Sequence, residues 1–374
     1  MARRLHYTKG YLSQIENGKK PIPVGIKEQY LAVCIDLLDP IRRAETIGRA
    51  DLQRRSFVVG AAFSSLLAAL PLKDRERVQS IAAYTSDRKA GLREVEAVRA
   101  MTNQLVAMDE TMGGGIGRET VAAFLSSDVA ELLKGRFVSE DIRRQAYGAA
   151  AEVAYLAGWK AHDMGLDGLT QRYYLTAYEL AKESGDPGHQ AFTLRIQALQ
   201  GCDVGESEFS PRLAEEAMKK VKGRIGVDTE DLFRVCVARC YAETGDRRKA
   251  LEALRGTRAL HPDSVSEIPR YAALWSPNKA TLLNQTSRTF KAMGDTEMEV
   301  EMYRQVIDLW DHDTKSRPWA LAVTDLGDAL WRLGDEGEAA EQWAKAWPVL
   351  KGMRSKRAGK AMKRISDKVP DLAG

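Results

Sequence analysis

The chain has 374 residues, of which 44% are hydrophobic, 29% charged and 7% aromatic, a composition that excludes an intrinsically disordered protein and allows more than one domain. Four Cys are too few for a disulfide framework, so we expect a reducing, cytoplasmic compartment. The net charge is +4, yet residues 1–55 carry 11 Lys and Arg against 6 Asp and Glu, and residues 351–374 carry 8 against 2. The ends are therefore basic and the middle is mildly acidic, which makes the middle a poor general surface for nucleic acid.

The first informative segment runs from Thr8 to Lys20 and predicts a short helix. Thr8 can cap its start, Gly18 can end it, and Leu12 and Ile15 face inward. The outward side chains offer hydrogen-bond donors, acceptors and positive charge, which suits the major groove of DNA, where Gln reads adenine and Lys reaches guanine or phosphate. An ordinary capped surface helix is the alternative. The candidate DNA-binding residues are Thr8, Lys9, Gly10, Tyr11, Ser13, Gln14, Asn17, Lys19 and Lys20.

The segment Ser13-Gln14-Ile15-Glu16-Asn17-Gly18-Lys19-Lys20 resembles the end of the recognition helix in the Xre, or lambda-repressor-like, helix-turn-helix family. The resemblance implies that residues 1–40 form a partial helix-turn-helix DNA-binding domain. It places the end of the second helix at Met1 to Leu5 and the fourth helix at Val24 to Ile35. The first helix of that domain is missing from the match, so we expect either an upstream start or a degenerate head.

A pair of arginines, Arg54 and Arg55, precedes an apolar run that ends at Leu72. The combination has the form of a twin-arginine export signal, but it lies far from the N-terminus, and the run is shorter than a membrane-spanning helix. We therefore expect residues 41–73 to form a linker and a buried apolar helix stopped by Pro71, with no membrane association.

From residue 74 onward hydrophobic residues recur at helical spacing, without the alternation of a half-buried strand, so the predicted fold class is all-α. The segment from Arg93 to Met108 places its apolar side chains on one core-facing stripe. The glycines between Met112 and Gly117 interrupt this pattern. Because neither a strand nor a Gly-Lys-Ser/Thr sequence accompanies them, we interpret them as a flexible helix–helix connection rather than a phosphate loop.

Residues 74–350 contain a repeated helix–turn–helix pattern with turn glycines at positions 165, 245, 294 and 334. Glycine takes a left-handed turn at low cost, a following Asp can cap the next helix, and a small residue seven positions earlier lets two helices approach. Helix pairs of this kind must stack to bury their apolar faces, which predicts a solenoid with a concave surface. The glycines are more widely spaced than the repeat of about 34 residues in the tetratricopeptide (TPR) template, and Glu299 replaces a small residue.

The pattern resembles the TPR template, and the stretches from Ala157 to Gly165 and from Ala181 to Pro187 look like those of actinobacterial Xre-type regulators with C-terminal TPRs. The resemblance covers the chain to about residue 350. It implies a partial helix-turn-helix head followed by a TPR-like α-solenoid at residues 74–350. The basic, amphipathic pattern of residues 351–374 predicts a capping helix and tail, for which membrane-surface or nucleic-acid contact is the alternative.

The first helix of each repeat is expected to line the concave face. Counting back from the turn glycines gives the candidate ligand-binding residues Arg239, Asn284, Arg288, Thr324 and Asp328. An Asn can bind a peptide backbone and an Arg can bind a carboxylate, although a solvated helix face would have the same composition.

No arrangement of residues in the sequence indicates catalysis, a metal or a cofactor. Cys236 and Cys240 lie on one helix face, but two ligands make no metal site, and we interpret both as packing residues. His162 and Asp163 are adjacent on a helix and therefore point in different directions.

The resemblance implies a non-enzymatic, homodimeric transcription regulator that binds double-stranded DNA and whose repeat domain senses a peptide, a small molecule or a protein partner. The alternative is a non-catalytic protein-interaction scaffold with a degenerate DNA-binding head.

Overall fold

The computed structural model of the protein describes residues 39–52, 81, 84–257, 268–274 and 278–373. These residues form an all-α structure, which confirms the predicted fold class. The helices, numbered in chain order, are α1 (Pro40–Leu52), α2 (Leu92–Met112), α3 (Arg118–Phe124), α4 (Ala130–Lys134), α5 (Glu140–Asp163), α6 (Asp167–Glu183), α7 (Pro187–Val204), α8 (Ser210–Val221), α9 (Val227–Glu243), α10 (Arg247–Arg255), α11 (Arg270–Ala273), α12 (Asn278–Ala292), α13 (Thr296–Leu309), α14 (Ser316–Leu333), α15 (Glu336–Lys351) and α16 (Lys356–Ser366). A π-helical turn, Leu125–Val129, joins α3 to α4, and a 3-10 turn, Pro370–Ala373, follows α16.

Two short strands, β1 (Lys89–Ala90) and β2 (Arg136–Phe137), form a parallel pair that the sequence did not predict. Lys89 is the partner of Arg136, and Ala90 is the partner of Phe137. With two residues each, the strands are too short to produce a period of two in the sequence.

The helices from α5 onward pack as consecutive antiparallel neighbours. Helix α5 packs on α6, α7 on α8, α9 on α10, α12 on α13, and α14 on α15, and each pair contacts the next. This stacking in neighbouring pairs is the arrangement of an α-solenoid. The first helix of each pair faces inward and contributes most of the residues that line the concave side.

The turns between paired helices have the predicted backbone. Glycines 165, 245, 294 and 334 all have positive φ, between 64° and 88°. Asp246, Asp295 and Asp335 then accept hydrogen bonds from backbone N–H groups at the starts of α10, α13 and α15. Both observations confirm the role given to the Gly-Asp pair in the sequence.

The ends of the stack meet. The backbone N–H of Gly115 donates to the carbonyl oxygen of Arg354 at 2.8 Å, and the N–H of Arg354 donates to that of Met112 at 3.1 Å. Gly114 also donates from its backbone N–H to the carboxylate of Asp163 at 2.9 Å. The connection at residues 113–117, which the sequence suggested to be flexible, is therefore tied to α5 and to the segment before α16.

Two large apolar clusters account for most of the core. The first includes the predicted stripe of α2, where Val95, Val98, Met101 and Leu105 are fully buried and Met108 is half-buried. The second holds α13 to α15 together, and α16 packs against it through the buried side chains Ala358, Ala361 and Ile365. Helix α16 thus covers the apolar end of the last helix pair.

Several sequence predictions lie outside the described residues. These are the partial helix-turn-helix domain up to residue 38, with all its candidate DNA-binding residues, and the apolar run that follows Arg55. Within the described part of the chain, no helix is both long enough and apolar enough to cross a membrane.

Candidate functional site

The concave side of the stack contains three adjoining cavities, which together we call the inner groove. Their volumes are about 140, 340 and 450 Å³, and Asp203, Arg288 and Asp325 line all three. The walls of the 140 Å³ cavity come from both ends of the stack, because α2 and α5 contribute on one side and α14 and α16 on the other. The 140 Å³ cavity is the most apolar part of the groove, and its larger aromatic and aliphatic lining residues are Tyr155, Trp159, Tyr174, Phe192, Ile196, Leu199, Leu232, Trp310 and Leu321.

A cluster of ion pairs surrounds Asp203, which lines all three cavities of the groove. Asp203 binds Arg239, contacts Arg288 at 3.0 Å, and lies 3.3 Å from Nε2 of His162. Loss of water around the carboxylate alone would raise the pKa of Asp203, but the two arginines hold it well below its usual range. Asp203 is therefore a fixed negative charge whose partners are already present in the protein.

Four of the five predicted ligand-binding residues line the inner groove. Asn284 and Arg288 line the 140 Å³ cavity, and Arg239 and Asp328 line the 450 Å³ cavity. The amide of Asn284 makes no hydrogen bond to another described residue, so its donors and its acceptor are available to a ligand. Asp328 accepts hydrogen bonds from Arg364 at 2.8 Å and from Lys368 at 3.2 Å.

Thr324 does not join the other predicted residues. It is fully buried, and its hydroxyl donates to the carbonyl oxygen of Ala320 at 2.8 Å. Its own carbonyl oxygen accepts a hydrogen bond from Nε1 of Trp343 on α15, at 3.2 Å. Thr324 therefore lies between α14 and α15 rather than on the face toward the groove.

Trp159 on α5 lines the 140 Å³ cavity and contacts two arginines. The guanidinium carbons of Arg317 and Arg357 lie 5.3 and 5.5 Å from the centre of its ring. Arg317 also binds Asp109 at 2.7 Å and lies 3.6 Å from Asp163, so its charge is neutralised.

Arg357, on α16, has no such partner. Among the residues that the structure describes, no carboxylate lies within salt-bridge distance of its guanidinium. Burial lowers the pKa of Arg357 and the nearby charge of Arg288 lowers it further, although the charges of Asp203 and Asp163 oppose this effect. A guanidinium in this position favours the arrival of a negative charge.

Other polar groups of the 140 Å³ cavity are incompletely paired. The Nε1–H of Trp310 has no acceptor, and Oε2 of Glu110 has no donor, among the described residues. Both side chains are more than nine-tenths buried. Nδ1 of His162 and Nε of Arg288, which also line this cavity, lack a hydrogen-bond partner among the described residues as well. Because buried polar groups are nearly always hydrogen-bonded, four unpaired atoms around one cavity indicate a place for a ligand.

Glu110 is held close to cations without a strong bond to any of them. Its Oε1 lies 3.8 Å from Nζ of Lys315. Burial raises the pKa of Glu110 to about 7, although the charges of Arg317 and Lys315 oppose this effect. The side chain is therefore partly protonated at neutral pH, when it can donate as well as accept a hydrogen bond.

The sequence did not predict the residues of this cavity that lack partners among the described residues. Arg357, Lys360, Arg364 and Lys368 recur every three or four positions, which places them on one helix face. That spacing predicts a basic helix face, but the sequence of the segment does not show that this face lines a groove. For Glu110 and Trp310 the sequence offers no signal, because their role depends on elements that are far apart in the chain.

Cysteines form a separate packed cluster near the groove. Cys236 and Cys240 are fully buried, as expected for packing residues, and Sγ of Cys202 lies 3.7 Å from that of Cys240. Within the described ranges, no group of three or more His, Cys, Asp or Glu side chains is arranged to hold a metal ion.

No family model matches the chain, and no match is found among the curated proteins.

Proposed function

We propose that the protein is a DNA-binding transcription regulator whose helical-repeat domain binds an effector in the inner groove. The observation that carries the effector role is the 140 Å³ cavity, where, among the described residues, Arg357 has no anionic partner and Trp310 and Glu110 each have an unpaired polar atom. If the stack had only a structural role, burying these polar groups without hydrogen-bond partners would destabilise it with no compensating benefit.

The DNA-binding role is supported by the sequence of the segment from Thr8 to Lys20, which predicts a capped helix with Gln14 on its outward face and which ends with Lys19 and Lys20. In this proposal the head belongs to the Xre-type family and the stack is a TPR array. The protein acts in the cytoplasm as a homodimer, has no catalytic activity and needs no cofactor.

The geometry of the groove suggests how an effector would act. Helices α2 and α5 from one end of the stack, and α14 and α16 from the other, line the same cavity. A ligand bound there contacts both ends of the stack. It therefore favours the arrangement in which the two ends are in contact, which we call the closed form. If closure changes the distance between the two heads of a dimer, effector binding changes affinity for paired half-sites.

Selection of genomic DNA fragments by the full-length chain, at several salt concentrations, tests the DNA-binding role. We expect enrichment of one sequence and a steep loss of binding as salt rises, because phosphate contacts release counterions. Gln14→Ala should change the enriched sequence, since a side chain that contacts a base specifies it.

The matched control is Gln305→Ala, which makes the same change at an exposed position on α13. It should select the wild-type sequence. If Gln14→Ala also selects that sequence, the base contact is wrong. If the wild-type chain retains no fragment even at low salt, the regulator proposal is wrong and the scaffold alternative takes its place.

A further inference from the structure

We infer that the effector is a small organic acid, with an apolar body of about six carbon atoms and one carboxylate that binds Arg357. The inference rests on the proposed function in taking the inner groove as the effector site, and it adds the chemical class of the ligand. The same chemistry occurs in a free carboxylic acid and in the C-terminal residue of a peptide.

The charge of the ligand follows from the pairing of the groove residues. Asp203 is paired with Arg239 and Arg288, and Asp325 lies 3.2 Å from Arg364. A cationic ligand would compete with these arginines for carboxylates that are already occupied. An anionic ligand meets Arg357, which has a planar fork of donors and no carboxylate partner among the described residues.

A second arginine adds positive potential inside the cavity. Arg195 is almost fully buried in the apolar wall, donates from Nε to the carbonyl oxygen of Leu232 at 2.9 Å, and lies over the ring of Phe192. No carboxylate within the described ranges reaches salt-bridge distance of it. Along the three cavities as a whole, Lys and Arg side chains outnumber Asp and Glu side chains. The potential of the groove therefore favours an anion.

The size and the apolar character of the ligand follow from the volume and the lining of the 140 Å³ cavity. A dry cavity of about 150 Å³ with apolar walls accommodates benzene, and the volume here is about 140 Å³. Phe192, Ile196, Leu199 and Leu232 give it an apolar wall. The Nε1–H of Trp310 can only donate, so it calls for an acceptor oxygen, which a carboxylate supplies.

The experiment uses three fluorinated probes of the same shape with the full-length chain, and follows binding by fluorine NMR of the probe. The probes are 3-(4-fluorophenyl)propanoate, its neutral amide and the corresponding propylamine. We expect the acid to bind at least tenfold more tightly than the amide, and the amine to bind more weakly than either. Equal binding of acid and amide, or tighter binding of the amine, would overturn the inference, as would no binding of the acid.

The contribution of Arg357 is measured with Arg357→Gln and a matched control on the same helix. Lys363→Gln removes the same charge from an exposed position of α16 that lines none of the three cavities. We expect Arg357→Gln to weaken binding of the acid at least tenfold, and to leave binding of the amide within twofold. The control should bind the acid like the wild type. A tenfold loss in the control, or none in Arg357→Gln, contradicts the assignment, and the probe series in the wild type decides the charge without any variant.

A competition arm separates the two sources of the carboxylate. The tripeptide Gly-Gly-Phe displaces the acid at lower concentration than free 3-phenylpropanoate if the ligand is a peptide terminus, and only at higher concentration if it is a free acid. Displacement in either order supports a carboxylate site. Displacement by the C-terminal amide of the tripeptide as readily as by its acid contradicts it.

The two proposals fail in different ways. If the acid binds with the expected selectivity but leaves the selection of DNA unchanged, the site stands and the proposed regulation is wrong. If DNA selection persists while acid and amide bind alike, the regulator stands and the chemical class of its effector is wrong.

Discussion

Glu110 is a side chain of the inner groove whose charge changes near neutral pH. Burial raises its pKa to about 7, against 4.5 for the ordinary side chain, and the charges of Arg317, Lys315 and Lys160 oppose this effect while that of Asp109 adds to it. The folded protein therefore holds a proton that the unfolded chain releases at lower pH. By linkage, the favourable contribution of this proton is complete below pH 4.5 and is lost as the pH rises through 7.

We expect Glu110→Gln to stabilise the protein at pH 8 and to have little effect at pH 4.5. Glutamine has the shape of a protonated glutamate but never ionises, so it avoids the cost of a buried charge. The gain in the free energy of unfolding at pH 8 should be on the order of 3 kcal/mol, from a shift of about 2.5 pH units. Urea unfolding of both proteins between pH 4.5 and 8 measures it.

The control for this experiment is Glu341→Gln, at an exposed position of α15. Its difference from the wild type should stay within about 0.5 kcal/mol across the same pH range. A gain for Glu110→Gln that does not grow with pH would show that Glu110 is ionised without cost in the folded protein.

At the scale of the element, the contact between α14 and α15 depends on one glycine. A Cβ at Gly327 would lie 2.4 Å from Nε1 of Trp343, which is closer than the Cβ atoms of real side chains come to other heavy atoms. The indole therefore packs flat against the backbone of α14, where it also reaches the carbonyl oxygen of Thr324. Gly158 has the same role in α5, since its Cβ would lie 2.5 Å from the ring of Tyr174 on α6.

Gly327→Ala should destabilise the protein by about 2 kcal/mol, because the fully buried ring of Trp343 has no room to move away. Gly359→Ala is the matched control. It lies within α16 and is exposed, its Cβ would meet no atom within 4 Å, and alanine favours helix there by about 0.5–1 kcal/mol. Urea unfolding should thus show a lower free energy of unfolding for Gly327→Ala and a higher one for Gly359→Ala. Equal changes in the two variants would mean that the close approach of Trp343 to Gly327 is not needed for stability.

These helix pairs were predictable because their signals are local. A turn glycine, the Asp after it and the small residue seven positions before it lie within one repeat, and glycines 158 and 327 act as their positions suggested. The inward position of Asn284 and Arg288 follows from the same counting. Counting failed at Thr324, because a shift of one residue rotates a side chain by about 100° around the helix, and the next residue, Asp325, is the one that lines the groove.

The unpaired groups of the groove were not predictable in the same way. Arg357 and Trp159 meet only because α16 returns to α5 across almost 200 residues of chain. Glu110 and Trp310 each keep one polar atom without a partner among the described residues because of the elements that pack around them, and the local sequence does not show which elements those are. The pattern of the basic C-terminal segment indicated a charged helix face but not what that face would line.

At the scale of the whole molecule, the stack is closed by a buried ionic cluster. Asp109 on α2 accepts hydrogen bonds from Lys160 at 3.2 Å, from Trp159 at 3.0 Å and from Arg317 on α14 at 2.7 Å. Burial alone would raise the pKa of Asp109, but Arg317 and Lys160 hold it below its usual range. Removing one partner of a buried ion pair destabilises a protein by about 3–5 kcal/mol, because the other charge stays buried without compensation. Arg317 is therefore a buried side chain that helps to hold the two ends of the solenoid together.

Arg317→Gln should loosen the closure more than it disturbs the helix pairs. The backbone N–H groups of Gly115 and Arg354 report this directly, because each donates across the junction. We expect both amides to exchange with solvent at least tenfold faster in the variant, whereas amides within α9 and α12 keep their rates. The matched control is Arg304→Gln, which breaks an exposed ion pair with Glu338 on the outer side of the stack and should leave both amides unchanged. Unchanged exchange at Gly115 and Arg354 in Arg317→Gln would mean that the ends stay together without the ionic cluster, and an effector could then not act by holding them closed.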